Sequence, residues 1–278
     1  MTFSIVGRDE AGTALGVAVA SKFLAVGAAV PAAEAQVGAV ATQAMANLRY
    51  RPDGLVLLRE GKPASTVVAA LTRDDEQREH RQVGVVDAEG GSGSFTGSEC
   101  IGWAGHRTGP GYAIQGNCLV GPDVVAAAEA AWCAARAPSL ARRLLSALGA
   151  GDAAGGDRRG RQSAALLVVA PGAGYGGGSD VLVDLRVDDH PTPVAELDRL
   201  LTLHGLYFGK PDPESLLALD ENLRSEVAGH LTRLGHDPGA DFDRAYETWI
   251  GTENYEERHV AGFIDPVVLE RLRAQERT

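Results

Sequence analysis

Residues 1–22 read MTFSIVGRDEAGTALGVAVASK, two apolar runs on either side of a polar turn. The runs Phe3–Gly7 and Leu15–Ser21 have strand composition, and the turn between them holds charged residues and a glycine, so the pattern predicts a β-hairpin. The small Thr2 permits methionine aminopeptidase to remove Met1. We therefore expect Thr2 to become the first residue of an apolar strand.

A terminal threonine would carry a nucleophile and a base together. A free α-amine has an ordinary pKa of about 8, so near neutral pH it can take the proton of its own hydroxyl. A second residue of this type is also common without any such role. Evidence from the rest of the sequence is needed to distinguish a catalytic Thr2 from an ordinary second residue.

The following segments alternate in type. Further strands are predicted at Val37–Thr42, Gln82–Asp87, Ser92–Thr96, Tyr112–Gln115, Ser163–Ala170 and Val181–Val187. Helices are predicted at Pro52–Glu60, Pro63–Thr72, Pro122–Arg136 and Ser139–Leu148. Strands and helices in this order indicate a mixed α and β domain with sheets between helical layers.

The sequence pattern changes beyond Pro193, where it predicts a small helical module. Its helices are expected at Ala195–His204, Leu223–Leu234, Phe242–Trp249 and Pro266–Ala274. We therefore divide the chain into domains at 1–193 and 194–278. Tyr246, Trp249 and Tyr255 could form a sugar-stacking surface or, at helical spacing, pack in a core.

Several blocks resemble the domain-of-unknown-function 1028 family of the Ntn-hydrolase superfamily. They are Thr2–Val6, Gly16–Gly27, Gly38–Ala44, Trp103–Gly109, Gln115–Asn117, Gly155–Ala164 and Asp184–His190. The resemblance implies an α+β fold, a four-layer αββα sandwich with Thr2 as the nucleophile. The C-terminal segment, with Leu231–Gly235, Trp249, Asn254 and Ile264–Pro266, resembles a peptidoglycan-binding module.

The expected catalytic residues are Thr2, Ser21, Lys22 and Asn117. Lys22 could lower the pKa of the terminal amine by like-charge repulsion, or it could be a solvated strand-end charge. Strand alternation turns Ser21 inward if Val17 and Val19 point inward. Asn117 follows Gly116 and could donate to an oxyanion, or it could be a turn asparagine with a left-handed backbone.

The expected substrate-binding residues are Gln43, His106, Asp157, Arg158, Gln162 and Ser163. Residues 155–163 concentrate arginines between a helix and a buried strand, so an arginine fork there could bind a substrate carboxylate with Asp157 orienting it. The alternative is an ordinary solvated charged loop. Gln43 and His106 are weaker candidates.

Charge and cysteine usage limit the partners. The formal net charge of −11 without a basic stripe argues against binding nucleic acid or anionic membranes. Three cysteines without a Cys-x-x-Cys pair fit a reducing compartment, and we expect a cytoplasmic location. Seven scattered histidines show no metal-ligand spacing, so neither a metal nor another cofactor is expected.

Two functions from different classes follow. The first is an N-terminal-threonine amidohydrolase acting on a small C–N amide, with homo-oligomerisation expected by analogy to the superfamily. The second is a non-catalytic protein that has kept the fold and its cavity, and whose C-terminal module recruits a glycan or a protein partner.

Overall fold

The structure is a computed structural model that describes residues 2–137 and 139–275. The chain forms two compact units, Met1–Leu201 and Thr202–Thr278. This division lies within a helix that begins at Pro193, eight residues beyond the boundary expected at 193. Each unit is described by itself.

The first unit contains two antiparallel sheets. Its strands are β1 (Thr2–Arg8), β2 (Leu15–Ser21), β3 (Pro31–Glu34), β4 (Gly38–Ala44), β5 (Arg81–Asp87), β6 (Ser92–Thr96), β7 (Trp103–Gly109), β8 (Tyr112–Leu119), β9 (Ser163–Val169) and β10 (Val181–Val187). One sheet has the order β10-β9-β2-β1-β8-β7 and the other β3-β4-β5-β6. β1 therefore lies in the middle of the six-stranded sheet.

The helices of this unit are α1 (Val26–Ala29), α2 (Tyr50–Arg59), α3 (Ala64–Arg73), α4 (Asp123–Ala134), α5 (Leu140–Ala153) and α6 (Pro193–Phe208). The Oγ of Ser139 accepts a hydrogen bond from the Arg142 N–H, 3.3 Å away, and caps α5. α5 continues through Gly149 and Gly151, where the sequence predicts its end. A Cβ at Gly151 would lie 3.1 Å from the Phe3 ring, so the close contact with β1 accounts for that glycine.

Alternation along the strands separates two apolar faces of the six-stranded sheet. Phe3 and Ile5 of β1 belong to a core with Trp132 of α4 and Leu144 of α5. Val6 and its inward neighbours belong to a second core that joins the sheets, made of Val17, Val19, Ala39, Ala41, Val86 and Ala113. The two sheets therefore pack face to face.

The outer face of the four-stranded sheet carries its own helices. Val40 of β4 and Val83 and Val85 of β5 form a third core with Leu58 of α2 and Val67 of α3. Each sheet thus has a helix pair on the face that does not meet the other sheet. The unit is a mixed α+β fold built on antiparallel sheets.

A nearly buried ion pair connects the end of α3 to the start of β5. The Nε of Arg81 lies 3.1 Å from Oδ2 of Asp75, and their side chains are 13% and 11% exposed. Burial opposes ionisation of Asp75, but hydrogen bonds from Asn47, Tyr50, the Gln77 N–H and Arg81 outweigh it. The pKa of Asp75 is consequently held well below its usual value.

We expect Asp75→Asn to reduce the free energy of unfolding by about 1–3 kcal/mol at pH 7. Because the folded-state pKa is lowered, the Asp75 contribution is complete above its unfolded value, about 4, and is lost as pH falls towards the folded value. Urea unfolding of both proteins from pH 7 down to pH 3 measures the difference. That difference should shrink below pH 4, and a constant difference would contradict the assignment.

The matched control is Asp74→Asn. The Asp74 side chain is 79% exposed and pairs only with the neighbouring exposed Arg73 among the described residues. We expect this substitution to change the free energy of unfolding by less than about 0.5 kcal/mol.

The second unit is a small helical module. Besides the end of α6, it contains β11 (Leu217–Ala218), α7 (Glu221–Leu234), α8 (Phe242–Thr252), β12 (Phe263–Ile264) and α9 (Pro266–Ala274). The side chains of Asp220, Asp241 and Asp265 cap α7, α8 and α9. The nearly buried Arg258 pairs with Asp265 and also donates to the Leu206 carbonyl, 2.7 Å away.

The aromatic residues of this module are core residues. Tyr246, Trp249 and Tyr255 are 3%, 0% and 4% exposed and pack on one another with ring centroids 5.6–6.1 Å apart. Of the two interpretations of these side chains, the structure selects core packing. In the described part of the chain, no helix has the length and apolar character to cross a membrane.

Candidate active site

Polar side chains are buried between the two sheets, at the end where β1 begins. We call them the inter-sheet polar cluster: Thr2, Ser4, Ser21, Gln43, Gln82, Gln115 and Asn117, each at most 4% exposed. Thr2, Ser4 and Val6 alternate along β1 on the face that meets the other sheet. Because alternate residues of a strand lie on the same face, Thr2 and Ser4 both point into the cluster.

Thr2 lies between two neighbouring strands. It is opposite Ser21 of β2 and Asn117 of β8 in the strand register. The Thr2 Oγ1 and the Ser21 Oγ are 3.0 Å apart, within hydrogen-bond distance. The structure thus places Ser21, one of the expected catalytic residues, beside the Thr2 hydroxyl.

Two side-chain amides hold the Thr2 carbonyl. The Nε2 of Gln43, on β4 of the other sheet, donates to it at 3.2 Å, and the Nδ2 of Asn117 donates at 3.3 Å. The Ser4 hydroxyl donates to the Oε1 of Gln43 at 2.7 Å and accepts from the Nε2 of Gln115 at 2.6 Å. The first residues of β1 are therefore anchored to both sheets.

Gln82 is the centre of this network. Its Oε1 accepts from Gln43 at 2.8 Å and from Asn117 at 3.0 Å. Its Nε2 donates to the Gly116 carbonyl at 2.8 Å and to the Thr96 hydroxyl at 2.9 Å. Every polar atom of this fully buried side chain is bonded.

Sequence reasoning missed Ser4, Gln82 and Gln115. One signal could have found two of them: Ser4 and Gln115 stand two residues from Thr2 and Asn117 in apolar strands, hence on the same strand face. Gln82 offers no such local signal, because it meets the others through the pairing of β4 with β5.

Asn117 has one unsatisfied atom. Its two amide hydrogens serve the Thr2 carbonyl and Gln82, while its buried Oδ1 has no partner among the described residues. A buried acceptor left in this state costs about 1–3 kcal/mol. The expected oxyanion donation by the Asn117 side chain therefore does not fit this arrangement, since both donors are already used.

The backbone is irregular at this point. Cys118 has a positive φ of 52°, and the register between β7 and β8 shifts between Trp103 and Gly105. Asn117 itself lies inside β8, so it is not the turn asparagine that was the alternative. Bulges often occur next to active sites, where they redirect side chains.

The Lys22 side chain points into solvent. Its Nζ is 3.4 Å from the Arg161 carbonyl oxygen. Because Ser21 points inward, the next residue along the strand points away from the sheet interface. This placement fits the alternative for Lys22, a strand-end charge in solvent.

The three arginines of residues 155–163 differ in their ion-pair partners. The buried Asp157 pairs with Arg159 at 2.8 Å and accepts the Lys22 N–H at 3.0 Å. Arg161 pairs with Asp152. The Arg158 side chain is exposed and has no ion pair among the described residues, while its backbone N–H donates to the Cys118 carbonyl at 3.0 Å. Asp157 therefore orients Arg159 and not Arg158.

Gln162 and Ser163 fix a loop. The Gln162 N–H donates to the Ser21 carbonyl at 3.1 Å. The Ser163 hydroxyl accepts the Val26 N–H at 3.1 Å and donates to the Phe23 carbonyl. These contacts fix the backbone of Ser21 and of the segment between β2 and α1. Both residues therefore stabilise the position of Ser21.

His106 is connected to the cluster through one hydroxyl. Its ring is on the exposed edge strand β7, with Nδ1 2.8 Å from the Oγ1 of Thr96, which in turn accepts from Gln82. Partial burial lowers the pKa of the imidazole from its usual value. His106 is thus at the margin of the cluster and does not contact Thr2 among the described residues.

The loops that follow β2 and β4 expose apolar side chains. Phe23 is 53%, Leu24 61%, Met45 54% and Leu48 47% exposed. They lie within five residues of Ser21 or Gln43 along the chain.

A groove of about 750 Å³ lies elsewhere, between α2 and α3, and is lined by residues such as Asn47, Tyr50 and Asp75. Within the described residues, no group of three or more His, Cys, Asp or Glu is placed to hold a metal ion.

Comparisons with known proteins identify relatives. A family model described as "Family of unknown function (DUF1028)" matches residues 2–197, and one described as "Putative peptidoglycan binding domain" matches residues 207–272. The chain is similar to the crystal structure of protein SPO2555 from Silicibacter pomeroyi, which carries the first of these models, with 32% identity and a TM-score of 0.67. That match covers 73% of this chain and 89% of the other. No curated protein matches.

Proposed function

The chain belongs to the DUF1028 family of unknown function, and from its own site we propose that it is an N-terminal-nucleophile amidohydrolase cleaving a small C–N amide. Thr2 is the nucleophile once Met1 has been removed. The observation that carries the proposal is the position of the Thr2 hydroxyl, at the start of a central strand, between two stacked sheets and 3.0 Å from Ser21.

The layering supports the same conclusion. Helices α4 and α5, the six-stranded sheet, the four-stranded sheet, and helices α2 and α3 follow one another in space. This is the order expected of the four-layer αββα sandwich of Ntn-hydrolases, to which the sequence blocks point. We therefore include that superfamily in the proposal.

The reaction has two steps. The free amine of Thr2 takes the proton of Oγ1 as the oxygen attacks the amide carbonyl, and then gives it to the leaving nitrogen. Ser21 holds Oγ1 through their hydrogen bond. Water next hydrolyses the ester between the acyl group and Thr2, which releases the acid and restores the hydroxyl. The donor to the oxyanion is a group other than the Asn117 side chain, whose two N–H groups are already bonded.

We assign Arg158 to a substrate carboxylate. Its backbone N–H donates to the Cys118 carbonyl, which places this residue next to the Asn117–Cys118 irregularity, and its exposed guanidinium has no ion pair in the described chain. Arginine binds carboxylates through two parallel hydrogen bonds. On this assignment the amide substrate carries a carboxylate, and the exposed apolar side chains of the loops after β2 and β4 fit a substrate with an apolar portion.

Arg158→Ala should raise KM for a carboxylate-bearing amide by about 10-fold or more, with a smaller change in kcat. Steady-state kinetics on a panel of amides, with and without a carboxylate, measure this effect. Arg161→Ala is the matched control, since Arg161 is already paired with Asp152, and its KM should stay near wild type. Equal KM changes in the two variants, or on the neutral amides, would contradict the assignment.

A second candidate is a non-catalytic protein that recruits a glycan through its C-terminal module. It is favoured by the match of residues 207–272 to a peptidoglycan-binding model. Sedimentation of the full chain with purified peptidoglycan tests it. Because Tyr246, Trp249 and Tyr255 are buried, binding by that module would have to use other side chains.

A further inference from the structure

The Oδ1 of Asn117 has no partner, and its orientation is fixed by its surroundings. The Asn117 Nδ2 faces two oxygens, the Thr2 carbonyl at 3.3 Å and the Gln82 Oε1 at 3.0 Å. Reversing the amide would place an oxygen against both. The Gln82 amide is fixed in turn by donating to the Gly116 carbonyl. The Asn117 oxygen is therefore the atom that lacks a donor.

The position of this oxygen limits the donors that can reach it. The Asn117 side chain is fully buried and lies opposite Thr2 in the register of β1 and β8. Thr2 shares its face of β1 with Ser4 and Val6, which contact the other sheet, and the Asn117 side chain donates to Gln82 of β5. Both side chains are therefore on the face that meets the other sheet. The side-chain donors of the neighbouring Gln43, Gln82 and Gln115 are already bonded within the cluster.

Removal of Met1 creates a new donor at this place. It converts the Thr2 peptide nitrogen into an amine with additional N–H groups, at the residue directly opposite Asn117. We propose that the Asn117 Oδ1 accepts a hydrogen bond from the freed α-amine of Thr2 and so positions that amine. This inference rests on the proposed function, and it makes Asn117 a positioning residue in place of an oxyanion donor.

The contact has a chemical purpose. A neutral amine has one lone pair, and it serves as a base only when that lone pair points at the Thr2 hydroxyl proton. An acceptor that holds one N–H fixes the rotation of the amine about its bond to Cα. Asn117 then holds Thr2 at two points, the carbonyl through Nδ2 and the amine through Oδ1.

The first test is a thermal cycle of four proteins. Wild type and Asn117→Ala are each prepared with Met1 removed and, by inhibiting methionine aminopeptidase in the expression host, with Met1 retained. Intact mass verifies each form. We expect Met1 removal to raise the melting temperature of wild type by about 2–4 °C relative to its effect in Asn117→Ala. An equal effect in both backgrounds would overturn the proposal.

The second test titrates the amine itself. The rate of N-terminal carbamylation by cyanate, followed by mass spectrometry across pH, reports the amine pKa in wild type and Asn117→Asp. A carboxylate in contact with the amine should raise that pKa by about one unit or more. Gln115→Glu, two residues away on the same strand face, is the control and should give a smaller increase. Equal increases would show that the amine has no contact with residue 117.

Neither test depends on measuring enzymatic turnover. The cycle can also be run in a Thr2→Ala background, which keeps the amine and removes the nucleophile. A protein without amidase activity could therefore still show the contact, and an active enzyme could lack it. If Asn117→Asp does not fold, the four-protein cycle alone decides.

Discussion

Thr2→Ala should abolish amide hydrolysis while the protein stays folded. We expect turnover to fall by at least about 10³-fold, because the variant keeps the amine but has no oxygen to form the acyl intermediate. Assays against a panel of amides and ureido compounds measure the rate, and intact mass verifies Met1 removal in both proteins.

The stability cost of this substitution should be small. The described hydrogen bond of the Thr2 hydroxyl is the one to Ser21, so its loss costs about 1 kcal/mol. Thr2→Ser is the matched control, since it keeps both hydroxyl and amine and should retain activity. Full activity in Thr2→Ala would refute the nucleophile, and so would a Met1 that stays in place in the active protein.

Gln82→Leu should be the most destabilising single substitution in the inter-sheet polar cluster. Leucine has a similar volume but leaves the Gly116 carbonyl and the Asn117 and Gln43 amides without their buried partner. We expect the free energy of unfolding to fall by about 3–5 kcal/mol, measured by urea denaturation.

Gln77→Leu is its control: the exposed Gln77 accepts one side-chain hydrogen bond, from Arg81 at 2.8 Å, so the loss should be about 1 kcal/mol, well below that of Gln82→Leu. A loss below about 1 kcal/mol in Gln82→Leu would mean that the network relaxes without cost. The Asn117 amide would then be free to turn, which would also weaken the argument for its fixed orientation.

Local patterns predicted much of the fold. β2 (Leu15–Ser21) and α9 (Pro266–Ala274) have the bounds expected from alternation and from a proline at the helix start. β8 was expected to end at Gln115 but continues to Leu119, because its polar residues face the other sheet. β7 was missed, since Gly105, His106 and Arg107 in an exposed edge strand resemble a loop.

Among the contacts of the candidate site, the sequence predicts only those that a hairpin makes between neighbouring strands. Ser21 could be placed beside Thr2 because a hairpin pairs the two. Gln43 was among the candidates, but its contact with Gln82 depends on the pairing of β4 with β5, which no local pattern encodes. Lys22 is adjacent to Ser21 in sequence, but alternation turns its side chain to the opposite side, so proximity along the chain does not bring its ammonium group to Thr2.

The central position of β1 also sets an order of events during synthesis. Thr2 is 4% exposed in the folded protein, so an aminopeptidase has to reach Met1 before the strand is enclosed. Asn117 follows Thr2 by 115 residues, which at about 5–20 residues per second leaves roughly 6–23 s before β8 can pair. If Met1 is removed, we therefore expect the excision to occur during synthesis, before β8 pairs with β1.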